Sequence, residues 1–171
     1  AFITPLDEMA NERHRQLRTG ETPPDELIVH GGRALLEHLH TRGLKTLILS
    51  GNPHTQISEE AELLDLIRYC NGRVQGHVHA ENFSKQTVLE EWMAEDGFTG
   101  EHLIMFGDGA AEIKATRNLG GLSIGVCSDE AVNGSGVVDQ SKRDILLPAG
   151  ADAIIADYRD PDLLTQTVLG Q

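Results

Sequence analysis

The chain has 171 residues and carries 14 Lys and Arg against 27 Asp and Glu, a formal net charge of −13. That length supports one sizeable core, and the acidic balance argues against nucleic acid or an anionic membrane surface as a partner, since both attract basic groups. No apolar run is long enough to cross a bilayer and no signal-peptide pattern is present, so the expected setting is cytoplasmic; Cys70 and Cys127 lack metal-ligand spacing and read as small core residues.

In chain order, residues 6–17 read as a charge-rich helix with a thin apolar side, closed by Thr19-Gly20. Residues 21–25, with Pro23-Pro24, read as a linker. A helix is predicted over 32–41, with His38 and His40 on a solvated surface, then a strand over 44–49. A helix over 54–68 follows, turning Glu59, Glu60 and Glu62 to water, and then a strand that carries His77 and His79 on one face. The remaining elements are a helix over 84–96, a strand over 102–106, a helix over 110–119, a strand over 122–126, a helix over 139–149, a strand over 153–156 and a helix over 161–169. Between them, residues 133–136 form a glycine-rich, mobile loop. Strands alternating with helices indicate an α/β fold, a parallel sheet with helices on both faces.

Three element boundaries carry chemistry. The run Leu103-Ile104-Met105-Phe106 is followed by Gly107-Asp108-Gly109-Ala110-Ala111-Glu112. Asp108 then stands at a strand's C-terminal mouth, with Glu112 one helical turn on, a place to hold Mg2+ beside substrate phosphate oxygens. Read more simply, Asp108 caps the helix and Glu112 complements its dipole. Ser50-Gly51-Asn52-Pro53 ends a second apolar run, and its hydroxyl and backbone N–H groups could cradle a phosphate. Ser84-Lys85 puts an ammonium in a helix's first turn, where the dipole disfavours it, so Lys85 answers some other charge. Asp129, past the strand over 122–126, could reach the same crevice or close a turn.

Leu-Ile-Leu-Ser-Gly-Asn (47–52), Ser-Lys (84–85) and Gly-Asp-Gly-Ala-Ala-Glu (107–112) resemble the second, third and fourth motifs of the haloacid dehalogenase (HAD) superfamily. Residues 31–39, ahead of Arg42-Gly43, resemble the helix and turn before the second motif in its phosphoglycolate-phosphatase-like branch. The likeness spans roughly 25–170. It implies a HAD-like Rossmannoid core over 25–171 and a helical-cap remnant with linker over 1–24. It further implies phosphate binding by Ser50, Gly51, Asn52 and Lys85, catalytic roles for Ser50, Lys85 and Asp108, Mg2+ held by Asp108 and supported by Glu112, and a small phosphorylated substrate.

The family's first motif, a central strand that ends in the nucleophilic aspartate, has no match. The nearest acid, Asp7, is followed by Glu8 and Met9 and runs into a helical pattern. The expectation is a Mg2+-dependent phosphohydrolase whose nucleophile lies outside this chain, in a missing N-terminal segment, so that the chain alone is inactive. Removing the central strand leaves unpaired edges that something must cover: a separate polypeptide, a preceding segment, or residues 1–4 as a makeshift strand. The competing readings are a nucleotide-binding Rossmann-type module, since Gly107-x-Gly109-x-x-Glu112 partly matches the dinucleotide fingerprint, and an inactive HAD-like binding subunit.

Overall fold

A computed structural model describes residues 5–169, with side chains from Glu8 onward. Asp7 as a reactive group and residues 1–4 as a strand lie outside that description. Among the described residues, two helices are followed by strands alternating with helices: α1 (Pro5–Thr19), α2 (Gly32–Thr41), β1 (Ile48–Pro53), α3 (His54–Leu63), β2 (Val74–His77), α4 (Lys85–Asp96), β3 (Ile104–Gly107), α5 (Ala110–Asn118), β4 (Leu122–Val126), α6 (Gln140–Ala149), β5 (Ala153–Ile155) and α7 (Pro161–Leu169).

All strand pairing is parallel, and it is divided into two sheets. One is β1-β2 and the other β3-β4-β5. In the first, Ile48 lies opposite Val74 and Leu49 opposite Gln75; the ladder is then broken until Pro53 meets His77. In the second, Ile104 to Gly107 run beside Leu122 to Gly125, and Ile124 to Val126 beside Ala153 to Ile155.

Alternation along the strands sets the layers. Leu47 and Leu49 pack with Leu89 of α4 and Ala115 of α5, in a cluster that also takes Met105 of β3, while Ile48 between them packs with Ala61, Cys70 and Val74. Helix α4 thus lies across both sheets. Ile113, Cys127, Leu146 and Ala149 form a third cluster under α6, so Cys70 and Cys127 are buried free thiols within the core.

Several expected boundaries move for physical reasons. The strand expected over 44–49 begins at Ile48, because Leu44 to Leu47 have no strand partner: on that side the chain forms a 3-10 turn at Ile67–Tyr69 instead of extending β2. The helix expected over 54–68 stops at Leu63, where Leu64 caps it and Asp65 takes a positive φ of 54°. The strand with two histidines ends at His77; His79 precedes a 3-10 turn, so the two do not share a strand face. Ser84 and Asp139 sit just outside α4 and α6, as N-caps accepting from the amides of Thr87 and Lys142. The loop expected to move is tied down: the Asn133 side chain accepts from the His30 amide at 2.9 Å and donates to the Ile28 carbonyl at 2.9 Å.

Helix α1 docks on α3 mainly through charge. Arg13 pairs with Glu60, Arg18 with Glu59, and the buried His14 lies 3.3 Å from Glu59 and 3.9 Å from Glu60. Glu60 is therefore buried, not turned to water as its helix pattern predicts. His38, likewise expected in solvent, is only 19% exposed and approaches Asp162 of α7 at 3.5 Å.

Burial lowers the His14 pKa, against the pull of Glu60. Below its ordinary value the unfolded chain then binds a proton that the folded one does not. This contribution to stability is complete above about pH 6.5 and is lost as pH falls toward the lowered folded value. Thermal melts from pH 7.5 to 5 should show it as a drop that His14→Gln flattens; parallel curves for the two proteins would refute it.

Candidate active site

The apolar strand β3 ends in Gly107-Asp108-Gly109, and the glycines are there for space. A Cβ on Gly107 would stand 2.5 Å from Cγ of Glu112, and one on Gly109 2.8 Å from both of its carboxylate oxygens. Glu112, in the first turn of α5, folds back over this turn. Its Oε1 accepts the Gly109 amide at 2.7 Å, satisfying a donor the helix start would leave orphaned.

Its other oxygen, Oε2, takes the Lys85 ammonium at 2.8 Å. Glu112 is the charge that Lys85 answers from its unfavourable place at the start of α4. Both side chains are largely withdrawn from water, 18% exposed for Lys85 and 8% for Glu112, so this pair is less screened than a surface one.

Asp108 stands exposed beside this pair, and among the described residues its carboxylate has no hydrogen-bonding or ionic partner. On β1, Ser50 lies within the strand instead of just past its end as expected, where the ladder with β2 is broken. Its Oγ accepts the Asn52 amide at 3.1 Å, which leaves the hydroxyl proton to donate elsewhere. Gly51, Ser84, Lys85 and Ala111 line one recess of about 450 Å³. One recess thus joins the later part of β1 to the starts of α4 and α5 and runs on along α5 to Asn118, while Ser50, Asn52 and Asp108 do not line it.

Tyr158, in the loop after β5, has no signal in the sequence. Its ring meets Phe106 of β3 edge-on at 5.8 Å. Enclosure, and secondly the Asp108 carboxylate, hold its phenol above the ordinary range, so it stays a neutral hydroxyl. Gly31, with a φ of 79°, lets the start of α2 pass the Tyr158 backbone where any Cβ would collide with its carbonyl oxygen. Asp129 closes its own turn, accepting from the amides of Ala131 and Val132, and those bonds lower its pKa.

Among the described residues no cluster of three or more His, Cys, Asp or Glu side chains could hold a metal. One unengaged carboxylate, Asp108, does fit an ion such as Mg2+ that takes one or two carboxylates and completes its shell with water and phosphate oxygens. Glu112, with both oxygens engaged, would act on such an ion through Lys85 and the turn. Among the described residues, no helix is long and apolar enough to cross a membrane.

Comparison with known proteins agrees with this fold. The phosphoserine phosphatase of Streptococcus thermophilus is 27% identical over 112 residues, covering 60% of this chain and 52% of that protein. The chain thus spans about half the length of that relative. A conserved haloacid dehalogenase-like protein of Agrobacterium tumefaciens superposes with a TM-score of 0.67 at 18% identity, covering 83% of this chain and 61% of that one. A HAD family hydrolase of Deinococcus radiodurans, solved with bound phosphate and sodium, superposes with a TM-score of 0.66 at 13% identity, covering 82% and 59%. The model of the haloacid dehalogenase-like hydrolases matches residues 8–120, more than half of the chain, and the chain belongs to that family.

Proposed function

We propose that this chain supplies the phosphate-binding and metal-binding part of a Mg2+-dependent phosphohydrolase that works through an aspartyl-phosphate, with the nucleophilic aspartate provided from outside the chain. The observation that carries the reading is the Lys85–Glu112 pair, which fixes an ammonium to the carboxylate that lies over the Gly107–Gly109 turn bearing the unengaged Asp108. Lys85 would balance the charge of the transferring phosphoryl group and of the nucleophile. Ser50, through its free hydroxyl proton, and the backbone N–H of Gly51 would hold the phosphoryl oxygens, while the Asn52 N–H orients the Ser50 hydroxyl by donating to its Oγ. Asp108 would hold Mg2+, which when bound would neutralise phosphoryl oxygens at the point of attack. Helix α1 and the linker, residues 1–24, would be the remnant of a cap beside the core of 25–171; the polar docking of α1 on α3 supports a unit separate from the core. The substrate class is a small phosphate monoester, with phosphoserine the first to try, because the Streptococcus relative is a phosphoserine phosphatase.

The nucleotide-binding alternative loses support at Gly109. Its amide, which a pyrophosphate would need, is spent on Glu112, whose carboxylate fills the space over the glycine turn.

Calorimetry with Mg2+ alone tests the metal role. Weak binding is expected, reduced about tenfold or more by Asp108→Ala, equivalent to at least ~1.4 kcal/mol, and less by Glu112→Ala. Unchanged affinity in Asp108→Ala would remove the reading's central support.

A further inference from the structure

The recess of about 450 Å³ between α4 and α5 is lined by no carboxylate. The chain has 27 Asp and Glu and only four lysines, yet the lining includes two of those lysines and none of the acids. Lys45, Lys85 and Lys142 each hold a carboxylate within 3.2 Å. Lys114, which lines the recess from α5, has no hydrogen-bonding or ionic partner for its ammonium among the described residues.

Ala111, Lys114, Ala115 and Asn118 line the recess from α5, spaced three and four apart as one stripe of the helix. At about 1.5 Å of rise per residue the stripe is about 10 Å long. Toward its start stands Lys85, whose ammonium gives one of its three N–H donors to Glu112. At its end, Asn118 Nδ2 donates to Gln86 Oε1 at 3.1 Å and Gln86 Nε2 donates to Glu90 Oε1 at 2.9 Å, so each amide keeps a second N–H free. Beside Gly51 the space is open, since a Cβ there would meet no atom within 4 Å. A cation would meet two ammonium groups, and an apolar ligand would leave the donors without an acceptor. A long polyanion would meet the repulsion of the chain's net charge of −13, whereas a small anion sees chiefly the lysines within a Debye length.

We propose that this recess is a second binding site, for a small organic anion with two negative groups, carboxylates or phosphates, about 5–10 Å apart. Lys85 takes one group, and Lys114 with the Asn118 and Gln86 amides takes the other, through charge-assisted hydrogen bonds. Phe83, Ala111 and Ala115 cover the carbon skeleton between them. Because Ser50, Asn52 and Asp108 do not line the recess, its ligand does not occupy the place proposed for the transferring phosphoryl group. Lys85 and Gly51 are shared with the hydrolase reading, but Lys114 is not, and Lys114 therefore carries the test.

Calorimetry on the whole chain, in magnesium-free buffer of fixed low ionic strength, compares inorganic phosphate, fructose 1,6-bisphosphate and citrate. The expected result is saturable binding of the bisphosphate or of citrate, about tenfold or more tighter than of phosphate; which of the two binds tells phosphate from carboxylate as the preferred group. Lys114→Gln should weaken that binding about fivefold or more, and Lys114→Arg by less than about twofold. Arg117→Gln removes the same charge from α5 outside the recess and should also cost less than about twofold, as should Asp108→Ala. Thermal melts confirm that each variant is folded. Binding of neither bis-anion more tightly than phosphate, or unchanged affinity in Lys114→Gln, would overturn the proposal. Equal losses in Lys114→Gln and Arg117→Gln would overturn it in favour of diffuse charge alone, and a larger loss in Asp108→Ala than in Lys114→Gln would place the ligand at the reaction site instead. None of these titrations contains Mg2+, so this proposal and the hydrolase reading fail separately.

Discussion

Replacing Lys85 by methionine should lower stability by about 3 kcal/mol, although the substitution preserves most of the side chain's apolar length and leaves β3 untouched. The loss comes from what remains behind. Glu112 is 8% exposed, and without the ammonium 2.8 Å from its Oε2 it keeps a charge that water reaches poorly. Removing one partner of a buried pair typically costs about 3–5 kcal/mol. The low end applies because Oε1 retains the Gly109 amide and the start of α5 favours a negative charge. Glu112→Gln should cost less, about 1 kcal/mol, since an amide oxygen can still accept from either donor. Urea unfolding of the three proteins checks the order. If Lys85→Met unfolds at the wild-type midpoint, the pair contributes nothing to the fold, and Lys85 is not held in place for a phosphoryl group by Glu112.

That pair illustrates what was legible in the sequence. Lysine in the first turn of α4 opposes the helix dipole, and this local contradiction foretold a specific partner. The partner itself was not foretold, since nothing in residues 84–112 says which of two nearby acids folds back. Gly107 and Gly109 decide it, by leaving room for the Glu112 carboxylate over the turn. Helix α2 was readable because its bounds depend on nearest neighbours.

Elements that depend on distant partners were read less well. The start of β1 was placed too early because Leu44 to Leu47 have the composition of a strand but no strand beside them. Glu60 was assigned to water because its own helix shows a polar face there, and only the docking of α1 buries it. Tyr158 reaches Phe106 across some fifty residues of chain, a proximity that no local pattern encodes. The division of the sheet also depends on distant partners: among the described residues, the strands that carry Ser50 and the Asp108 turn share no neighbour and belong to separate sheets.

The largest effect expected is on turnover. The 171-residue chain, given Mg2+ and an aryl phosphate or phosphoserine, should not hydrolyse either above the background rate, whereas a longer polypeptide carrying the first motif should. In the proposed site Ser50 would orient a phosphoryl group, Lys85 would balance its charge and Asp108 would hold Mg2+, but none is proposed to form the bond to phosphorus. Covalent catalysis needs a carboxylate to take the phosphoryl group and give it up to water. Within the longer protein, Asp108→Asn should lower kcat/KM on the order of 10²–10³-fold, the scale for loss of one electrostatic stabiliser, and replacement of the first-motif aspartate should reduce it to the level of the short chain. Mg2+-dependent turnover by the short chain that Asp108→Asn abolishes would mean that a nucleophile lies within these residues. A longer form inactive on a broad panel of phosphate monoesters would favour a scaffold that keeps the phosphate and metal groups for binding alone.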